Sequence, residues 1–304
     1  STLLASSAAS DVYKRQMNKI YTSNPFFEKY TAPHETVPFD RIKTEHYEPA
    51  IREGIRLQNA EIKAITGNPD APTFANTVLA YEESGELLQH VNTVFGNLLS
   101  AETSDELQEL AKEIMPLMSE HENNISLNEK LFERIKTVYE RRDKENLDPE
   151  QAKLLEDTYN GFVRNGANLQ GEAKEKYRGL CKELSLLTLQ FSENNLKETN
   201  DYELVLTEQS QLSGLPESAM DAAAETAREK GIEGWVFTLQ APSYGPFMTY
   251  ADNRNLRHEL YMAYNTKCTH DNACNNLEIV KKIANIHLEI AQLLGYDNFA
   301  EYNL

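Results

Sequence analysis

The stretch that most constrains how this chain can fold runs from Asp148 to Thr199. Asp148 is a short carboxylate suited to accept from the free backbone N–H groups at a helix start. Pro149 fits the first helical position, where its missing N–H costs nothing, and Gln151 can reach back to complete a capping box. Behind that start, Ala152, Leu155, Tyr159, Phe162 and Val163 fall on one stripe at helical spacing. Asn165-Gly166 offers a stop or bend. A second, longer helical pattern comes next. Ala173, Tyr177, Leu180, Leu184, Leu187 and Phe191 are spaced alternately four and three. Leu186 and Leu189 lie off that seam, so the middle of this helix is expected to be covered from two sides. Two such helices in succession predict an antiparallel hairpin with its core between them.

The rest of the chain is read around this hairpin. Residues 1–16 lack an initiating Met and a basic leader region, and they do not match the residues after them. They are expected to be a non-native, disordered leader, with Met17 as the true start. Asn24-Pro25-Phe26-Phe27 and Val37-Pro38-Phe39-Asp40 predict an extended segment anchored by aromatics. Helices are predicted from about Thr44 to Ile65, from Thr73 to Leu99, from Thr103 toward Asn123, and from Asn128 to Arg142. After Asn200 the period changes. Tyr202–Thr207 alternates with period two, and Trp235–Leu239 is a second strand candidate, with a short Ala-rich helix, Ser218 to Lys230, between them. The two strands are expected to pair. Pro242, Gly245 and Pro246 are expected to break the chain, leaving Tyr244–Met248 as a loop. Two further amphipathic helices, Asn253 to Lys267 and Leu277 to Leu294, precede the start of another at Tyr302-Asn303-Leu304. No fixed-period repeat supports a solenoid.

Composition excludes several functions. Lys+Arg 30 against Asp+Glu 48 leaves a net charge of −18. That balance repels a phosphate backbone, so no nucleic-acid partner is expected. Its simplest use is solubility, with attraction of basic peptides a weaker alternative. No apolar run approaches the ~20 residues of a membrane span, so no membrane role is expected. Cys181, Cys268 and Cys274 make no disulfide framework and suit a reducing compartment.

Metal-assisted hydrolysis on a helix needs two histidines four residues apart with a glutamate between them. Three His-Glu pairs are present, His34-Glu35, His121-Glu122 and His258-Glu259, and none has a histidine at the fifth position. They read as surface or core residues. Cys268, His270 and Cys274 lack a Cys-x-x-Cys pair and a fourth ligand, so they read as a polar loop with two ordinary thiols. Gly161 and Gly166 have phosphate-loop spacing without the Lys-Ser/Thr ending and fit helix packing better. Glu82, Glu83 and Glu86 read as a solvated helix face. Asn124-Ile125-Ser126 is a glycosylation sequon that matters only on secretion. No catalytic and no metal-binding residue is therefore assigned, and the substrate-binding residues are left open.

Several blocks in one order carry a family resemblance: Leu147-Asp148-Pro149-Glu150-Gln151, Phe162-Val163-Arg164-Asn165-Gly166-Ala167, Phe191-Ser192-Glu193-Asn194-Asn195-Leu196, Leu212-Ser213-Gly214-Leu215-Pro216-Glu217 and Leu293-Leu294-Gly295-Tyr296-Asp297. From about Asn24 to Leu304 the chain resembles the N-terminal half of the thimet-oligopeptidase family of zinc metallopeptidases, its peptidyl-dipeptidase members above all. The resemblance implies a mainly α fold: a multi-helix N-terminal lobe of a two-lobed zincin-like peptidase, with a small two-stranded β element. It implies a channel between lobes, short peptides as substrates, release of C-terminal dipeptides, and one zinc held by a His-Glu-x-x-His helix with its Glu as general base. That motif belongs to the family's C-terminal half. Residues 17–304 are thus expected to be a helical channel wall, inactive alone and without zinc of its own, from a monomeric parent. Cytoplasmic location is expected, or periplasmic if a native signal peptide is missing. An oligopeptidase A-like endopeptidase of the same family and a non-catalytic helical scaffold for partner proteins are the alternatives. Exposed apolar surface, and hence self-association, is a further expectation.

Overall fold

The computed structural model describes residues 24–304. The leader 1–16 and the start at Met17 lie outside the described residues. The principal elements are α1 (Thr44–Gly67), a helical segment from Phe74 to Glu82 with a π turn at Phe74–Leu79, α2 (Glu86–Ala101), α3 (Asp105–Ser126), α4 (Glu129–Glu140), α5 (Pro149–Arg164), α6 (Gly171–Asp201), β1 (Leu204–Leu206), α7 (Glu217–Glu229), β2 (Trp235–Phe237), α8 (Ala241–Tyr250), α9 (Arg254–Asn265), α10 (Leu277–Leu293) and α11 (Phe299–Asn303). They form two compact units. Among the described residues, the first contains residues 24–185 together with Ile290–Leu304; the second is Leu186–Glu289.

In the first unit α1 packs on α2 and α3, and α4 packs on α5. The apolar stripe of α4 places Leu131, Phe132 and Ile135 against Ile62, Ile65, Ile125 and Phe162, all buried. A second patch joins Phe74, Val78, Val138 and Leu155. Of the aromatics expected to anchor the start, Phe26 does so, whereas Phe39 is 54% exposed. Phe26 is buried with its ring 5.2 Å from Tyr47, and Asn24 Nδ2 donates to the His46 carbonyl at 2.8 Å. Burial pushes the Tyr47 phenol up to about 12. At the other end of the unit Tyr302 OH donates to the Arg164 carbonyl at 3.2 Å, and the Arg164 guanidinium lies 4.9 Å over the Tyr302 ring.

In the second unit β1 and β2 pair antiparallel, with Leu204 opposite Phe237 and Leu206 opposite Trp235. They close over a core of Leu212, Leu215, Ala223, Leu239, Phe247, Ala251 and Leu260. The loop between α9 and α10 is tied to α6: Asn276 Nδ2 donates to the Phe191 carbonyl at 3.0 Å and Lys267 Nζ to Thr199 at 2.9 Å.

The Asp148 start forms as expected. Asp148 Oδ1 accepts from Gln151 N at 2.9 Å, and Gln151 Oε1 accepts from Asp148 N at 3.3 Å. The expected hairpin core does not form. The principal partner of α5 is α4, whose complementary stripe includes Phe132, stacked on both Tyr159 and Phe162. On α6 only Tyr177 is fully buried; Leu180, Leu184 and Leu187 are half-buried and Phe191 is 37% exposed. The predicted helix from Thr73 to Leu99 is also broken, at Ser84-Gly85. Finally, residues 241–250 are helical, not a loop. Pro242 sits in the first turn, where its missing N–H is no loss. Pro246 forgoes one backbone bond, and the complete burial of Phe247 offsets it.

Candidate functional site

A cleft of the first unit lies beside the break at Gly85. Gly85 has φ +77°, and any Cβ there would lie 2.4 Å from the Gln58 amide. Glycine therefore both turns the chain and lets Gln58 pass. Gln58 Oε1 contacts His121 Nε2 at 2.7 Å. Since the amide oxygen only accepts, Nε2 carries the proton. Gln58 Nε2 donates to Ser84 Oγ at 3.3 Å, and Ser84 Oγ donates to the Tyr81 carbonyl at 2.7 Å. Gly85 N donates to the Glu61 carboxylate at 2.8 Å. This chain of bonds walls a cleft of about 510 Å³. Leu88, Gln89 and Asn92 of α2 line it, with Met118, Ser119, Glu122, Asn123 and Ser126 of α3, Asn165 after α5, and Tyr177 and Cys181 of α6.

Electrostatically the cleft favours neutral side chains. Burial lowers the pKa of His121, which is only 3% exposed. Burial raises the carboxyl of Glu122 and the phenols of Tyr81 and Tyr177. The Cys181 thiol is pushed up too, by burial first, against hydrogen bonds with Tyr177 and Asn123 that lower it. A thiol whose pKa is raised, in a cleft whose histidine is already bonded to Gln58, is no cysteine nucleophile.

A hydrolytic zinc does not fit these residues. Beyond His121 and Glu122, position 125, where a helical motif needs its second histidine, is the buried Ile125. Among the described residues no group of three His, Cys, Asp or Glu could hold a metal ion. His34 sits in an exposed turn at φ +60°, and His258 is exposed on α9. Cys268 and Cys274 are buried, while His270 is exposed. Glu198 of α6 accepts from Cys268 N and from Asn272 Nδ2, the latter at 2.6 Å, so the cluster is a pinned loop. Glu82, Glu83 and Glu86 face solvent, as expected. Sequence reasoning found His121 and Glu122 but not their setting, because Gln58, Gly85, Asn165 and Cys181 come from segments far apart in the chain. The usable signal was the density of small polar residues on α3 beside a buried Tyr177.

His121 also gives a test of the fold. A histidine in the unfolded chain titrates near 6.5, and the folded value lies lower. Between those values only the unfolded chain takes the proton, so stability falls as pH drops below about 6.5. Above that pH both states are neutral and the effect vanishes. The maximal slope is about 1.4 kcal/mol per pH unit. Glu122 acts oppositely, with stability gained as pH falls through its raised folded value toward 4.5. H121Q, which keeps a donor for Gln58, should flatten the loss between pH 7.5 and 5.5 measured by urea unfolding. Burial lowers His46 and His287 as well, so part of the slope remains.

Residues 247–304 match the pattern of peptidase family M3. The chain is 37% identical over 284 residues to the dipeptidyl carboxypeptidase of Escherichia coli (strain K12), covering 93% of this chain and 42% of that protein. It is 32% identical over 286 residues to oligopeptidase A of Haemophilus influenzae, covering 93% of this chain and 41% of that protein. The chain thus spans about two fifths of the length of these curated relatives. Fold and relatives define a class, a mainly helical chain similar to peptidases over about two fifths of their length. The chain belongs to peptidase family M3, the family of thimet oligopeptidase.

Proposed function

We propose that this chain is the N-terminal helical portion of a zinc-dependent peptidyl-dipeptidase, one that releases C-terminal dipeptides from short peptides in the cytoplasm. The observation that carries the reading is the 37% identity to a dipeptidyl carboxypeptidase sustained over 284 residues. In this reading zinc and the general base are supplied by residues outside this sequence, and helices α1 to α6 wall the peptide's path. An oligopeptidase A-like endopeptidase is the second reading, favoured by the 32% identity over 286 residues to that enzyme. No helix among the described residues is long and apolar enough to cross a membrane.

The pattern of exposed side chains supports a larger parent. Tyr261 and Met262 of α9 and Leu277, Val280 and Leu288 of α10 are all between 39% and 49% exposed. All of them fall inside the 247–304 match to family M3. In this reading the remainder of the same peptidase covers these side chains. The isolated chain should therefore self-associate. Replacing Val280 and Leu288 together by lysine should shift sedimentation velocity toward monomer while the circular dichroism spectrum stays unchanged. A wild type that is monomeric at high concentration would count against the reading.

The activity test uses the open reading frame extended downstream to include a His-Glu-x-x-His segment. An N-blocked hexapeptide is supplied with zinc and the products are weighed. Successive loss of C-terminal dipeptides supports the first reading, and a single internal cut supports the second. No cleavage by the extended protein would refute both.

A further inference from the structure

We propose that the first-unit cleft is a peptide-binding subsite that takes a free amino terminus, with the α-ammonium against Glu122 and the first backbone amides against Gln89, Asn92 and Ser119. This deepens the peptidase reading and rests on it for the choice of a peptide as ligand.

Three features converge on that ligand. The first is size. About 510 Å³ lies within the usual range of small-ligand sites and accommodates two or three residues, not a folded domain. The second is charge. Glu122 is the one acidic side chain lining the cleft, and no lysine or arginine lines it. The Glu122 carboxylate disfavours an anionic ligand and offers a primary ammonium a partner. The third is the supply of amides and hydroxyls. Side-chain amides both donate and accept, as peptide groups do. Among the described residues, Gln89, Asn92 and Ser119 spend no side-chain hydrogen bond inside the protein, whereas Gln58 is committed to His121 and Ser84. Met118 and Tyr81 add apolar wall for a small side chain. The His121–Gln58–Ser84 bonds tie the rim of the cleft together.

The ammonium of a lysine side chain has the same chemistry, so the test separates the two. The full chain, labelled with ¹⁵N, is titrated with penta-alanine amide, with its N-acetylated form, and with an N-acetylated peptide carrying one internal lysine. Calorimetry gives the Kd. The shifts of the Gln89 and Asn92 side-chain amides report the location. The free amino terminus should bind about tenfold more tightly than either acetylated peptide, the worth of one charge-assisted hydrogen bond. E122Q should bring the three peptides within about twofold of one another. S119W, which fills the cleft, should abolish the Gln89 and Asn92 shifts. Unchanged unfolding midpoints establish that both variants fold. Equal binding of the acetylated peptide, equal binding of the lysine peptide, a preference that survives E122Q, or shifts confined to other residues would each overturn the assignment. Should the extended protein release dipeptides while these titrations fail, the cleft assignment alone falls; should both fail, the peptidase reading falls with it.

Discussion

Phe247→Ala is expected to lower the stability of the chain by about 3–5 kcal/mol in urea unfolding, with the loss seen as a lower midpoint. The ring is fully buried, and it meets Phe237 edge to face with centroids 4.6 Å apart. Leu206, Leu212, Leu260 and Phe237 surround the same core, so the cavity left by truncation has walls from β1, β2 and α9 that cannot all close in. The edge-to-face contact adds about 0.5–1.5 kcal/mol beyond the buried area. Phe247→Leu keeps most of the volume and should cost well under half as much. Equal losses in the two variants would mean that lost volume does not set the cost, and that packing is not what holds α8 as a helix.

Gly234→Ala is the second large effect, by a different route. Gly234 has φ +104°, outside the region that alanine adopts readily. A Cβ there would lie 2.2 Å from the Leu206 carbonyl oxygen, a backbone atom that cannot swing away. That carbonyl belongs to β1, at the end of its ladder with β2, so relief requires β1 and β2 to part. We expect a loss of about 2–4 kcal/mol. Hydrogen exchange should show weakened protection at Leu204, Leu206 and Phe237. Gly231→Ala makes the control. It also has positive φ, but its Cβ would meet nothing within 4 Å, so only the conformational cost remains. Similar losses at the two positions would show that backbone strain, not the carbonyl contact, sets the cost at Gly234.

These two sites also mark where the sequence could and could not be read. Helix starts were legible because the chemistry is local. Asp148 with Gln151, Asn128 at the head of α4 and Asn253 at the head of α9 each satisfy backbone N–H groups within three residues. The strand pair was legible from alternation at Leu204–Leu206 and from the glycines before Trp235. Helix partners were not. The stripe of α5 is as compatible with α6 as with α4, and only the stacking of Phe132 on Tyr159 and Phe162 decides between them. The helix at 241–250 was hidden because proline and glycine propensities argue against it, while the burial that overrules them comes from Phe237, ten residues earlier. The cleft was hidden for the same reason. His121 in isolation is one core histidine among many; it acquires meaning from Gln58, 63 residues before it. That none of the three His-Glu pairs continues to His-Glu-x-x-His was legible at once, since that motif is local and its fifth position is either histidine or not.

In the proposed reading the work of the peptidase is divided: helices α1 to α6 line a path for peptide, and residues outside this sequence hold the hydrolytic metal. Competition titration of the purified chain with zinc and a fluorescent chelator, with peptide cleavage followed in the same samples, tests that division most directly. The expected result is no tight equimolar zinc binding and no cleavage by this chain, at any zinc concentration that leaves it soluble. One equivalent of zinc held tightly, with peptide bonds cut in proportion to it, would contradict the division outright.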